Sequence, residues 1–201
     1  MKPGGTYLKG VAKREEILEK ALDVIGREGI RGASVKEIAD AVHLSPAGIL
    51  HHFGTKEELF TEILRKRDEL DQELFTDGAP AEQSALAYLN LTQRNAQVPG
   101  LIELFSEMAV EAADPQHPAH NFFVKRGVET RAGFEEAIRV LQESGRLQLH
   151  SDPAMLARVI QAVSDGLQIQ WLLDPSLDMA AIMTALFEDC LGGSISELHN
   201  A

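Results

Sequence analysis

Residues 34–52 constrain the fold of this chain more than any other stretch. Ser34-Val35-Lys36-Glu37 has the Ser-x-x-Glu form of a capping box, in which two side chains satisfy the first open backbone N–H groups of a helix. Ser45-Pro46 places a capping hydroxyl before a proline at the first helical position. Val42, His43 and Leu44 are all that separate a helix over Ser34–Ala41 from one over Ser45–His52. Both are too short to be stable alone, so packing must hold them. Val35, Ile38, Ala39, Val42, Leu44, Ile49 and Phe53 supply the apolar face for that. Two short helices crossing steeply over a tight turn make a helix-turn-helix, whose second helix can enter the major groove of DNA.

The rest of the chain also reads as helix. Ile17, Leu18, Ala21, Leu22, Val24 and Ile25 recur at helical spacing over 13–28, with Gly29 as a stop. Thr55-Lys56-Glu57-Glu58 is a second capping box and opens a helix to about Phe75. A break is expected at 76–80, then helices near 81–96, 99–113, 118–144, 153–173 and 178–191, and a poorly ordered tail from Gly192. Pro99, Pro118 and Pro153 mark starts, and Gly145 a stop. The expected fold class is all-α: an N-terminal three-helix DNA-binding domain over 1–56, a connecting helix over about 55–75, and a larger helical body within 57–201.

Charge fits this division. Net charge is -12, which taken whole argues against nucleic acid. Residues 1–66, however, hold 11 Lys and Arg against 10 acids, and the remaining 135 hold 8 against 21. Lys2, Lys9, Lys13 and Arg14 stand in the first 14 residues without an acid. A basic N-terminal end on an acidic body is the consequence. Cys190 stands alone, so no internal disulfide or cysteine-rich zinc site can form. Met1–Gly10 has no apolar core of a signal peptide, and no run of about 18 apolar residues exists, so a cytoplasmic protein is expected.

The motif residues also resemble a known family. The run from Ser34 to Ser45 and the run from Ile49 to Leu59 are similar to the TetR family of bacterial regulators, as are Ile17–Leu22 and Glu28-Gly29 upstream. The resemblance is strong over about 13–64 and coarser beyond. It implies a repressor that binds a palindromic operator as a homodimer and senses a small molecule in its C-terminal body. No cofactor is expected. Expected DNA contacts are Ser34 and Lys36 at the backbone, Ser45, Pro46, Ala47 and Gly48 at base edges, and Leu50, His51, His52 and Lys56 nearby. Lys56, in the first turn of the fourth helix, would hold a phosphate. Lys2 and Lys9 could form a minor-groove arm.

Two departures stand out. The family usually has glycine where this chain has His43 in the turn, and tyrosine where it has Leu50, so phosphate binding must lean on His51, His52 and Lys56.

The C-terminal expectations are broader. The resemblance implies a pocket, for which Asn90, Arg94, Phe105, Met108, Phe122, Phe134, Gln168 and Trp171 are the candidates, taking a moderately apolar effector. The segment 153–173 is apolar on two sides, which requires burial both in its own chain and elsewhere. Leu156, Val159, Ile160, Val163 and Leu167, with Ile182, Leu186 and Phe187, are expected at a dimer interface. Met155, Ala162, Gly166, Ile169 and Leu173 form the other face.

Other classes fare worse. His117-x-x-His120 has a proline between its histidines and no further ligand nearby, so no metal is expected. No nucleophile-elbow, metalloprotease, P-loop or dinucleotide fingerprint appears, which weighs against a small all-α enzyme. A helical interaction module without DNA binding is the remaining alternative, kept open by Leu50.

Overall fold

The computed structural model describes residues 4–73, 81–147 and 152–191. Every regular element among the described residues is a helix. In chain order they are α1 (Gly4–Gly32), α2 (Val35–Ala41), α3 (Pro46–Phe53), α4 (Lys56–Gln72), α5 (Ala81–Asn95), α6 (Pro99–Glu111), α7 (His120–Glu143), α8 (Pro153–Leu173) and α9 (Met179–Leu191). The expected break at 76–80, the tail from 192, Lys2 and the side chain of Lys9 lie outside the described residues.

Two boundaries differ from the sequence expectation. Helix α1 begins at Gly4, well before Lys13. Gly10, Val11 and Ala12 are exposed, so these three positions add nothing to the buried stripe that begins at Ile17. At the other end α1 breaks at Gly29, where φ is 69° and ψ 171°. Helix α7 starts at His120 and not at Pro118. Turns occupy the gap, with the Gln116 N–H donating to Asp114 (2.9 Å) and the Ala119 N–H to His117 Nδ1 (3.2 Å). His120 Nδ1 lies 2.9 Å from the Ala112 carbonyl, so both histidines serve the loop. Among the described residues no three potential ligands gather for a metal.

The chain forms two compact units. The first takes residues up to Leu70 together with Val98–Phe122; the second takes Asp71–Gln97 and Phe123 onward. Helix α6, expected in the C-terminal body, thus belongs with the N-terminal helices and packs across α1. In the first unit Ile17, Ile25, Ile38, Ile49, Leu59, Ile63 and Ile102 are wholly buried. The buried Thr61 hydroxyl is satisfied by the Glu57 carbonyl at 2.7 Å. In the second unit α9 packs on α5 and α8. Tyr88 meets Phe134 edge to face with centroids 5.0 Å apart, and its hydroxyl lies 2.5 Å from that of Ser164.

Candidate nucleic-acid interface

Three consecutive caps build the interface. The Glu37 N–H donates to the Ser34 hydroxyl (3.4 Å) and the Ser34 N–H to the Glu37 carboxylate (3.1 Å), fixing the start of α2. The Gly48 N–H donates to the Ser45 hydroxyl at 3.1 Å, with Pro46 in the first turn of α3. The Thr55 N–H donates to Glu58 (2.7 Å) and the Glu58 N–H returns to the Thr55 hydroxyl (3.1 Å), starting α4. Each cap satisfies N–H groups that a helix leaves open, so three helix starts are defined within about twenty residues.

The turn between α2 and α3 closes on α2. The Leu44 N–H donates to Ala39 (2.9 Å) and the His43 N–H to Asp40 (3.3 Å). His43 has φ 56°, the one non-glycine residue with positive φ among the described residues. The turn thus keeps the left-handed conformation expected of a glycine there, with a side chain in place.

Packing decides which side of α3 faces out. Ile49 is wholly buried and Phe53 nearly so. Ser45, Pro46, Ala47 and His51 are exposed, while Gly48, Leu50 and His52 are half-buried. Pro46, Ala47, Leu50 and His51 therefore form one outward strip of small and flat side chains. Ser34, Lys36 and Lys56 are exposed as well. The Lys56 ammonium lies 5.1 Å from the centroid of the Phe60 ring. The His52 carbonyl accepts from Arg14 at 2.6 Å. Arg14 is the residue that sequence reasoning missed here. Its only sequence signal was membership in the acid-free start of the chain.

The other expected site residues are spread more widely. Phe105, Met108 and Phe122 are buried in the first unit. In the second, Trp171 is buried, Phe134 and Gln168 are half-buried, and Asn90 and Arg94 are exposed. Asn90 and Arg94 lie on the outer side of α5 and do not line its interior. The part-buried polar contacts of the second unit are different ones: Tyr88 on Ser164, and Gln161 accepting from Arg131 at 3.0 Å.

The α8 face assigned to an interface also changes. Leu156, Ile160 and Leu167, with Phe187 of α9, are buried in the chain's own core, and Val163 and Leu186 are half-buried. Of the expected interface residues Val159 and Ile182 remain exposed. The apolar face left open on α8 is Met155, Val159, Ala162, Ile169 and Leu173. Cys190 is buried, and burial pushes its thiol above the ordinary range, which keeps it protonated.

Comparison with known proteins agrees with this architecture. The sequence pattern of the family described as "Bacterial regulatory proteins, tetR family" matches residues 17–63, which span the last turns of α1 to the middle of α4. The chain is 28% identical over 170 residues to the HTH-type transcriptional regulator PksA of Bacillus subtilis, covering 81% of this chain and 80% of that one. Among solved structures, the reduced form of E. coli NemR superposes with a TM-score of 0.68 at 21% identity, covering 89% of this chain and 97% of NemR. FadR of Thermus thermophilus, a transcriptional repressor solved with lauroyl-CoA, superposes with a TM-score of 0.56 at 20% identity, over 85% and 89% of the two chains. The capped helix-turn-helix lies in the span that the family pattern matches, so residues 17–63 carry the DNA-binding domain of the TetR family of transcriptional regulators.

Proposed function

We propose that the protein is a ligand-responsive repressor that binds a palindromic operator as a homodimer and leaves it when a small effector binds. The outward strip of α3 carries this reading: Pro46, Ala47, Leu50 and His51, with the capping Ser45 before them, stand on the open side of a helix locked by Ile49 and Phe53. Small side chains let the helix approach base edges closely, so van der Waals fit and DNA shape do much of the reading. Ser34, Lys36, Gly48, His52 and Lys56 position the motif on the sugar-phosphate backbone.

In this reading residues 1–56 contact DNA, α4 connects, and 57–201 hold the effector and the partner subunit. FadR, solved with lauroyl-CoA, gives a precedent in this fold for a ligand with a long apolar portion. Phe134, Gln168 and Trp171, all in the second unit, remain candidates to line the effector site. Tyr88 and Ser164 replace Asn90 and Arg94 as the polar groups. The exposed face of α8 with Ile182 of α9 is the proposed dimer surface, and two copies of α3 then read two half-sites. Operator binding requires access to the chromosome, which places the protein in the cytoplasm.

Selection of duplexes from random DNA tests the reading directly. A palindromic consensus, bound with strong salt dependence, is the expected result. Failure to enrich any duplex defeats the repressor reading.

A further inference from the structure

Three consecutive residues of α1, Lys13, Arg14 and Glu15, together reach α2, α3 and α4. The Lys13 ammonium donates to the Val42 carbonyl at the end of α2, 3.2 Å away. Arg14 donates to the His52 carbonyl near the end of α3 at 2.6 Å, and pairs with Glu62 of α4 at 3.0 Å. Glu15 pairs with Lys66, one turn along α4 from Glu62. Arg14 does one thing more: its guanidinium carbon lies 4.2 Å from the centroid of the Phe53 ring. A single side chain thus joins the last turn of α3 to α4 by a hydrogen bond, a stack and an ion pair.

The fork geometry of arginine allows this. One nitrogen meets a carbonyl of the last helical turn, which has no partner within its helix, while another meets a carboxylate. Glu62 also accepts from Arg65 at 3.3 Å, so its carboxylate is held on α4 from a second side. Helix α4 runs from the first compact unit into the second, whose residues begin at Asp71.

We infer that Arg14 is the positioning residue that makes α3 follow α4, so that a displacement of α4 at Glu62 is transmitted to the DNA-reading helix through the guanidinium. This rests on α3 being the helix that reads DNA. A merely structural role predicts something else. Arg14 and Glu62 are 38% and 28% exposed, and ion pairs that open to solvent contribute little to stability. Loss of the link should therefore move α3 far more than it moves the melting temperature.

The test uses the full-length protein and the duplex it selects. Arg14→Gln and Glu62→Gln should each weaken operator binding about tenfold, and the double variant should bind no worse than Arg14→Gln, because Glu62 acts through Arg14. Arg14→Lys should recover only part of the affinity, since an ammonium cannot fork and stack together. The salt slope of binding should stay that of the wild type in every variant. Without DNA, amide exchange of residues 50–54 should quicken in Arg14→Gln and Glu62→Gln, while the α1 core around Ile17–Ile25 keeps its protection. Wild-type affinity in both single variants overturns the assignment. A slope reduced by about one unit in Arg14→Gln does so too, since Arg14 would then be a phosphate contact. If the wild type selects no duplex, the repressor reading falls, and exchange at 50–54 still decides whether Arg14 holds α3.

Discussion

Gly100 meets Ile25 backbone to backbone: a Cβ on Gly100 would lie 2.1 Å from the Ile25 carbonyl oxygen and 2.8 Å from the Gly29 Cα. Helix α6 can cross α1 this closely only where it has no side chain. Gly100→Ala should therefore destabilise the first unit by about 3 kcal/mol, since backbone cannot give way as a flexible side chain can. Gly133 of α7 is the control, because nothing lies within 4 Å of a Cβ there. Gly133→Ala should gain about 0.5–1 kcal/mol by restricting the unfolded chain. Urea melts of the two variants should move in opposite directions; a shift of the same sign in both would defeat the argument.

These two glycines also show what a sequence can and cannot display. Gly100 follows a proline at a helix start and reads as an ordinary early-turn residue, because its constraint comes from a helix far away in sequence. The three caps were legible because Ser34 with Glu37, Ser45 with Gly48, and Thr55 with Glu58 each close within three residues. The choice between the two apolar faces of α8 was not. Periodicity marks both, and only packing tells that Leu156, Ile160 and Leu167 turn inward while Met155, Val159 and Ile169 stay out. Arg14 escaped for the same reason: its partners His52 and Glu62 share no local pattern with it.

His43 holds a left-handed conformation, φ 56°, that costs an L residue about 1–2 kcal/mol. Glycine adopts it freely but loses more entropy on folding, so His43→Gly should raise stability by about 0.5–1 kcal/mol. His43→Val should lower it, because branching at Cβ crowds the same backbone. Thermal melts at one pH give both signs, and a destabilised glycine variant would mean that the imidazole contributes a contact outweighing the strain.

Lys56 is exposed in the first turn of α4. A phosphate contact there adds to binding on any sequence. Lys56→Ala should weaken specific and non-specific duplexes alike and reduce the salt slope by about one unit. An unchanged slope removes Lys56 from the interface.

The two faces of α8 give opposite variant behaviour if the exposed one is the dimer surface. Val159→Glu and Ile169→Glu, on the open face, should convert a particle of about twice 22.0 kDa into one of 22.0 kDa by light scattering, with the helical content kept. Leu156→Ala, on the buried face, should cost about 2–5 kcal/mol of stability and leave the mass of the folded particle unchanged. Dissociation by Leu156→Ala with none by Val159→Glu would return the interface to the other face.

Asp165 lies half-buried on α8, one residue from the Ser164 that bonds Tyr88. Burial pushes its carboxyl above the ordinary 3.8, and the charge of Arg126 only partly offsets that. A carboxyl whose folded value is raised binds its proton more tightly in the folded chain than in the unfolded one. Its charge therefore opposes folding, and the penalty has a definite pH window. It is absent below the unfolded value, grows as the pH rises from there through the raised folded value, and is complete above it. Asp165→Asn removes the ionising group at little change in volume. The variant should melt above the wild type at pH 7, and the difference should shrink as the pH falls, vanishing below about pH 3.5. A variant that melts below the wild type at pH 7 would show that the attraction of Arg126 outweighs the burial of Asp165, and that the carboxylate holds the second unit together.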